Sequence, residues 1–146
     1  MKRMLVAIDF SDVTEDVVQV TIELAQAFKG EVWLIHVEEP EPDFVGYEPG
    51  PQYVRDTVAA TIRLHGRELH EIRDRLAAEG IEAKSFVIQG ITVEKILTEA
   101  RRLETDLIVL GTHEHGLFHH LLLGSVRDSL IAHSHCPVLV VPVRKA

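Results

Sequence analysis

The chain has 146 residues, 46% of them hydrophobic and 26% charged, with a formal net charge of −8. That is the length of one domain with a single core, in the composition of an ordinary water-soluble protein. The acidic balance, with no Lys/Arg cluster, excludes general affinity for nucleic acid or for anionic membrane surfaces, since both need a basic patch.

Met1-Lys2-Arg3 is basic and Met4 to Ile8 apolar. The apolar stretch stops at Asp9, too short for a signal peptide or a membrane span, and reads as a strand buried on both faces. Asp12-Val13-Thr14-Glu15 has capping-box spacing. Val17, Val20, Leu24 and Phe28 follow at helical intervals, with Gly30 as the closing residue. Residues 32–37 form a second strand pattern, and residues 38–50, rich in Pro, Glu and Gly, read as a loop or flap. Pro51 is placed to open a long helix carrying the stripe Val54, Val58, Ile62, Leu69, Ile72 and Leu76, with Gly80 at its end. Glu71 and Arg75 are spaced to pair on its outer face.

Ala83 to Ile88 is the third strand pattern, followed by Gly90. Thr92 is positioned as the cap of a helix striped by Val93, Ile96, Leu97, Ala100 and Leu103. Leu107 to Leu110 is the fourth strand, Val126 to Ala132 a short helix, and Val138 to Val141 a last strand after Pro137. The single cysteine, Cys136, excludes an internal disulfide and fits a reducing cytosol. Apolar strands alternating with helices predict an α/β domain: one open parallel sheet of five strands with helices on both faces. No linker interrupts it, so residues 1–146 read as a single domain.

In such sheets ligands bind beyond the carboxyl ends of the strands, where Asp9, His36-Val37 and the 111–125 loop all fall. The loop begins Gly111-Thr112-His113-Glu114 and reaches Gly124-Ser125 at the start of a helix pattern. A glycine-bearing loop that ends at a helix N-terminus offers amide donors and a positive partial charge to a phosphate.

These residues resemble the universal stress protein family along essentially the whole chain. The resemblance is carried by Val6-Ala7-Ile8-Asp9-Phe10-Ser11, Leu34-Ile35-His36-Val37 and Gly90-Ile91-Thr92. It is carried further by residues 106–113, by residues 121–126 and by residues 136–141. It implies strand order 3-2-1-4-5 and a homodimer in which the C-terminal strands, Val138 to Val143, pair across a two-fold axis. One branch of the family binds ATP through a Gly-x-x-Gly, nine residues, Gly-Ser/Thr pattern; another does not bind it. By that resemblance Asp9 would hold the ribose and the backbone at Val37 would meet adenine. Gly111, Gly124 and Ser125 would hold the phosphates, with Ala7, Thr112 and Val126 completing the site. The implied ligand is ATP or AMP with Mg²⁺, and the implied role is a cytoplasmic stress-response sensor or regulatory module.

The chain departs from the pattern at Glu114, which replaces the second glycine. A carboxylate at ~4 Å from a phosphate costs about 1 kcal/mol in water and about 4 kcal/mol at an effective dielectric of 20. A bridging Mg²⁺ would offset that repulsion. Asp9 has a second reading, as a helix cap, but Ser11 and Asp12 are at hand for capping. No nucleophile–base pair stands at a recognisable spacing, so the reading is of a binding module, with slow ATP hydrolysis as the most it would support.

Two alternatives stand beside this. One is a nucleotide-free dimeric regulatory module. The other is a metal- or pH-responsive binder built on His113, His115, His119 and His120, with His133, His135 and Cys136 further along. The histidine spacing matches no established zinc pattern, so no metal ligand is assigned. Protonation of such a loop near pH 6 would strengthen its hold on anions.

Overall fold

The computed structural model describes residues 1–39, 52–112 and 125–143, and side chains within that range except at 52–54 and 125. Among the described residues, nine elements follow one another as β1 (Arg3–Ala7), α1 (Thr14–Phe28), β2 (Glu31–Glu38), α2 (Gln52–Ala78), β3 (Ala83–Gln89), α3 (Thr92–Arg102), β4 (Leu107–Gly111), α4 (Ser125–His133) and β5 (Val138–Val141). The five strands form one parallel sheet in the order β3-β2-β1-β4-β5. Element order, strand order and layering agree with the expectation.

β1 is the central strand, and Met4, Leu5 and Val6 are each 0% exposed. Strand alternation divides the core in two. Val6, Ile8, Val32 and Leu34 pack with Val17 and Ala25 of α1 and with Leu69, Ile72 and Leu76 of α2. Leu5, Ile35, Val37 and Ile108 pack on the other face with Ile96 and Ala100 of α3 and Leu130 of α4. Among the described residues no helix is long and apolar enough to cross a membrane.

Several local expectations are corrected. The helix start is shifted from the capping-box reading at Asp12–Glu15: Val13, not Asp12, is the N-cap of α1 and makes no side-chain cap hydrogen bond. The turn before the helix is organised instead by Asp9, whose carboxylate binds Ser11, and the Thr14 amide then donates to the Ser11 carbonyl. Helix α1 closes on Lys29, which takes the left-handed conformation at φ 53°. Gly30 serves a close approach: a Cβ there would stand 3.1 Å from the Lys2 carbonyl. Gly80 does terminate α2, with a left-handed φ of 80° and the Ile81 amide reaching back to Leu76.

Arg75 does not act along its own helix. Its guanidinium forms a bidentate pair with Glu15 of α1, at 3.0 and 2.6 Å, and clamps the two helices of one layer. Thr92 is the first residue of α3 and not its cap; Ile91 is. The Thr92 amide is bound by Glu39 Oε1 at 3.0 Å, so a carboxylate from the end of β2 sits on the positive end of α3.

Candidate functional site

The strand order reverses between β1 and β4. β1 connects to β2 on one side, and the chain later returns as β4 on the other. In open parallel sheets such a reversal marks where ligands bind, beyond the carboxyl ends of the strands. Asp9 leaves β1 there, and Gly111 ends β4 there.

Asp9 is half-buried. Its Oδ1 accepts from the Ser11 amide at 3.0 Å and the Ser11 hydroxyl at 2.6 Å. This Asx turn fixes the carboxylate without using it as a helix cap. Phe10 follows at a left-handed φ of 60°, which turns the chain sharply away from the sheet.

Ala7 pairs with Ile35 as the last rung of the β1–β2 ladder, and the Ile8 amide adds one bond to the Ile35 carbonyl. Backbone direction alternates along a strand, so Val37 turns its N–H and C=O toward the same edge as Ile35. β1 has by then left the sheet. The Val37 side chain is buried at 7% exposure in the core under α3 and α4. Its main chain is thus the part that faces the vacated edge.

Gly111 has a reason independent of any ligand. A Cβ built on it would overlap Val13 Cγ1 and lie 3.1 Å from Val17 Cγ2, so α1 packs directly on its backbone. The Thr112 amide is committed to the Val141 carbonyl at 2.8 Å, which leaves its hydroxyl and carbonyl for other partners. Val126 packs at the margin of the second core cluster. Ser125 opens α4, so its backbone lies at a helix N-terminus. Gly124, the Ser125 side chain, Glu114 and the histidines at 113, 115, 119 and 120 lie outside the described residues, as do Pro51 and residues 40–50 of the loop expected over 38–50, whose first residue, Glu38, is instead the last of β2.

The structure brings together a cluster that the sequence reading did not assemble. His36 and Glu38 project from the same face of β2, and His65 approaches from α2. One oxygen, Glu38 Oε2, lies 2.7 Å from His36 Nε2 and 2.7 Å from His65 Nδ1. His36 Nδ1 is 2.7 Å from the Ile8 carbonyl. Phe10 lies tilted against His36, with centroids 4.8 Å apart, and stacked on His65 at 4.9 Å. A signal was available: His65 occupies the turn missing from the α2 stripe, three residues after Ile62 and four before Leu69. Of the later histidines, His133 and His135 do not converge in this way. His133 bonds the Ser129 carbonyl, His135 the Thr105 carbonyl, and Cys136 Sγ lies 3.5 Å from Ser134 Oγ.

The described residues at this end of the sheet offer a fixed carboxylate, and a main-chain donor and acceptor on a vacated strand edge. Comparison with known proteins agrees with this architecture. The model of the universal stress protein family matches residues 1–142. A universal stress protein from Thermus aquaticus is 33% identical over 142 residues, covering 96% of this chain and 98% of its own. The solved structure of MJ0577, a protein of Methanocaldococcus jannaschii, superposes with a TM-score of 0.78 at 28% identity, covering 99% of this chain and 98% of that one. A universal stress protein of Archaeoglobus fulgidus, solved in complex with dAMP, has a TM-score of 0.66 at 20% identity, covering 97% and 98%. With a family match over nearly every residue and the five-stranded order that the motifs implied, the chain belongs to the universal stress protein family.

Proposed function

We propose that the chain binds an adenine nucleotide, ATP or AMP with Mg²⁺, at the carboxyl end of the sheet, and works as a homodimeric regulatory module in a stress response. The observation that carries this is the pairing of the Asp9 carboxylate, held by Ser11, with the Val37 main chain on the edge that β1 vacates. Adenine presents a donor and an acceptor side by side, and a strand edge offers the complementary pair. A carboxylate accepts from two ribose hydroxyls. The dAMP complex of the Archaeoglobus relative is evidence only that this fold accommodates an adenine nucleotide.

The dimer is proposed through β5. This strand is the edge of the sheet, and Val138, Leu139 and Val140 remain half-exposed. An unpaired apolar edge invites a second copy, and a two-fold axis lets each strand meet its twin. A monomeric mass by light scattering at micromolar concentration would count against it.

A nucleotide-free regulatory role is favoured by one observation: Gly111 is explained by the packing of Val13, with no phosphate needed. Calorimetric titration with ATP and Mg²⁺ separates the two. The nucleotide reading expects binding by the wild type and tighter binding by Glu114→Gly. It expects a loss of about tenfold to a hundredfold in Asp9→Asn, the worth of a charged hydrogen bond. If only Glu114→Gly binds, the natural protein has a nucleotide-independent role. If neither binds, the proposal fails.

A further inference from the structure

His36 faces two acceptors. A backbone carbonyl only accepts, so His36 Nδ1 carries the proton in its 2.7 Å contact with Ile8 O. In the neutral ring Nε2 then holds a lone pair, and that lone pair faces a carboxylate oxygen 2.7 Å away. Two acceptors at that distance repel unless a cation lies between them. A second imidazole, from His65, converges on the same oxygen.

We infer that His36 Nε2, His65 Nδ1 and Glu38 form a site for a divalent transition-metal ion, with Zn²⁺ the best match. Two imidazoles and one carboxylate are an established zinc donor set, which leaves a fourth position for water or another ligand. The three donor atoms lie within 4.8 Å of one another. At Zn–ligand distances of about 2.0–2.1 Å, tetrahedral donors stand roughly 3.3 Å apart. The carboxylate oxygen now bridging both nitrogens would swing back by about 0.6 Å, the two imidazole nitrogens, up to 4.8 Å apart, would draw together, and the ion would take the bridging place.

The surroundings are those of a metal site. Metal-bound histidines characteristically donate the remote ring N–H to a carbonyl or carboxylate, which fixes tautomer and orientation; the Ile8 carbonyl accepts such a bond from His36 Nδ1. The donors come from two elements, β2 and α2, so the ion would tie a helix to the sheet. Phe10 walls the cluster on the apolar side, its ring against both imidazoles. The cluster remains reachable: the side chains of His36, Glu38 and His65 are 9%, 23% and 22% exposed. The site lies on the α1/α2 face, whereas the Val37 side chain lies on the other, so it does not depend on nucleotide binding.

The test uses the full chain, stripped with a chelator and titrated with Zn²⁺ by calorimetry and with Co²⁺ by visible absorption, without nucleotide. The expected result is one ion per chain and the d–d bands of four-coordinate Co²⁺. His65→Ala and Glu38→Gln should each weaken binding by at least the roughly 10- to 100-fold that outer-shell partners alone are worth. Replacing His113, His115, His119 and His120 together by Gln should leave affinity and stoichiometry unchanged. Glu38→Gln is nearly isosteric and keeps the test valid if His65→Ala fails to fold. Absence of stoichiometric uptake would overturn the inference and leave a proton as the bridging cation. Uptake retained in Glu38→Gln and His65→Ala but lost in the loop variant would overturn it in favour of the 113–120 segment.

Discussion

Replacing Gly111 by Ala tests whether this glycine is there for a ligand or for a helix. The new Cβ would overlap Val13 Cγ1 and stand 3.0 Å from Val13 Cγ2 and 3.1 Å from Val17 Cγ2. Carbon atoms in good contact lie about 3.5–4.0 Å apart, so the methyl enters occupied space. Val13 and Val17 are each 1% exposed and cannot swing into solvent. Either Val13 leaves its rotamer or α1 lifts from β4, and overpacking of this kind costs about 1–3 kcal/mol. With a urea m-value of about 2 kcal/mol/M, the midpoint should fall by about 0.5–1.5 M. Val13→Ala removes the clashing methyl groups. On that background Gly111→Ala should cost little, giving a coupling energy of about 1–3 kcal/mol in the double-mutant cycle. A Gly111→Ala protein as stable as wild type but weakened toward ATP would refute the packing argument and return the glycine to the phosphates.

Two further predictions concern an ion pair and an amide-bound carboxylate that the fold creates. The Arg75 guanidinium holds the Glu15 carboxyl below its ordinary value of 4.5, so the pair stabilises the protein above that pH and is lost as pH falls through the depressed value. The side chains are 69% and 47% exposed, so a Glu15→Gln, Arg75→Met cycle should measure only about 0.2–1 kcal/mol at neutral pH, shrinking in acid and in high salt. The Asp106 carboxyl is also held below its usual 3.8, by the Arg3 and Lys2 amides that donate to it at 2.9 Å. Asp106→Asn should therefore be less stable than wild type at neutral pH. The gap should close only as pH drops below 3.8 through the depressed value; a gap that does not vary with pH would count against the linkage.

Much of the fold was legible in the chain because it is encoded locally. Continuous apolar runs such as Met4 to Ile8 mark strands buried on both faces, and stripes such as Leu69, Ile72 and Leu76 mark the inner face of a helix. Alternation of the two leaves a doubly covered parallel sheet as the economical packing. The six short stretches in order then supplied the family and with it the strand order. Asp9 and Val37 were placed correctly at the carboxyl end of the sheet, because a parallel topology sends the strand ends and the loops that follow them there.

What the chain did not disclose depends on distances across it. Arg75 had a carboxylate four residues away in Glu71, yet bonds Glu15, because α1 and α2 lie side by side on one face and the partner's direction is set by packing. Gly111 looked like part of a phosphate loop, and only the seat of Val13 against it shows a second cause. The histidines that drew attention were those crowded between 113 and 135. The pair that meets a carboxylate is His36 and His65, 29 positions apart. Periodicity reports which face a residue takes on its own element; which two faces touch, and at what register, is decided when the elements pack.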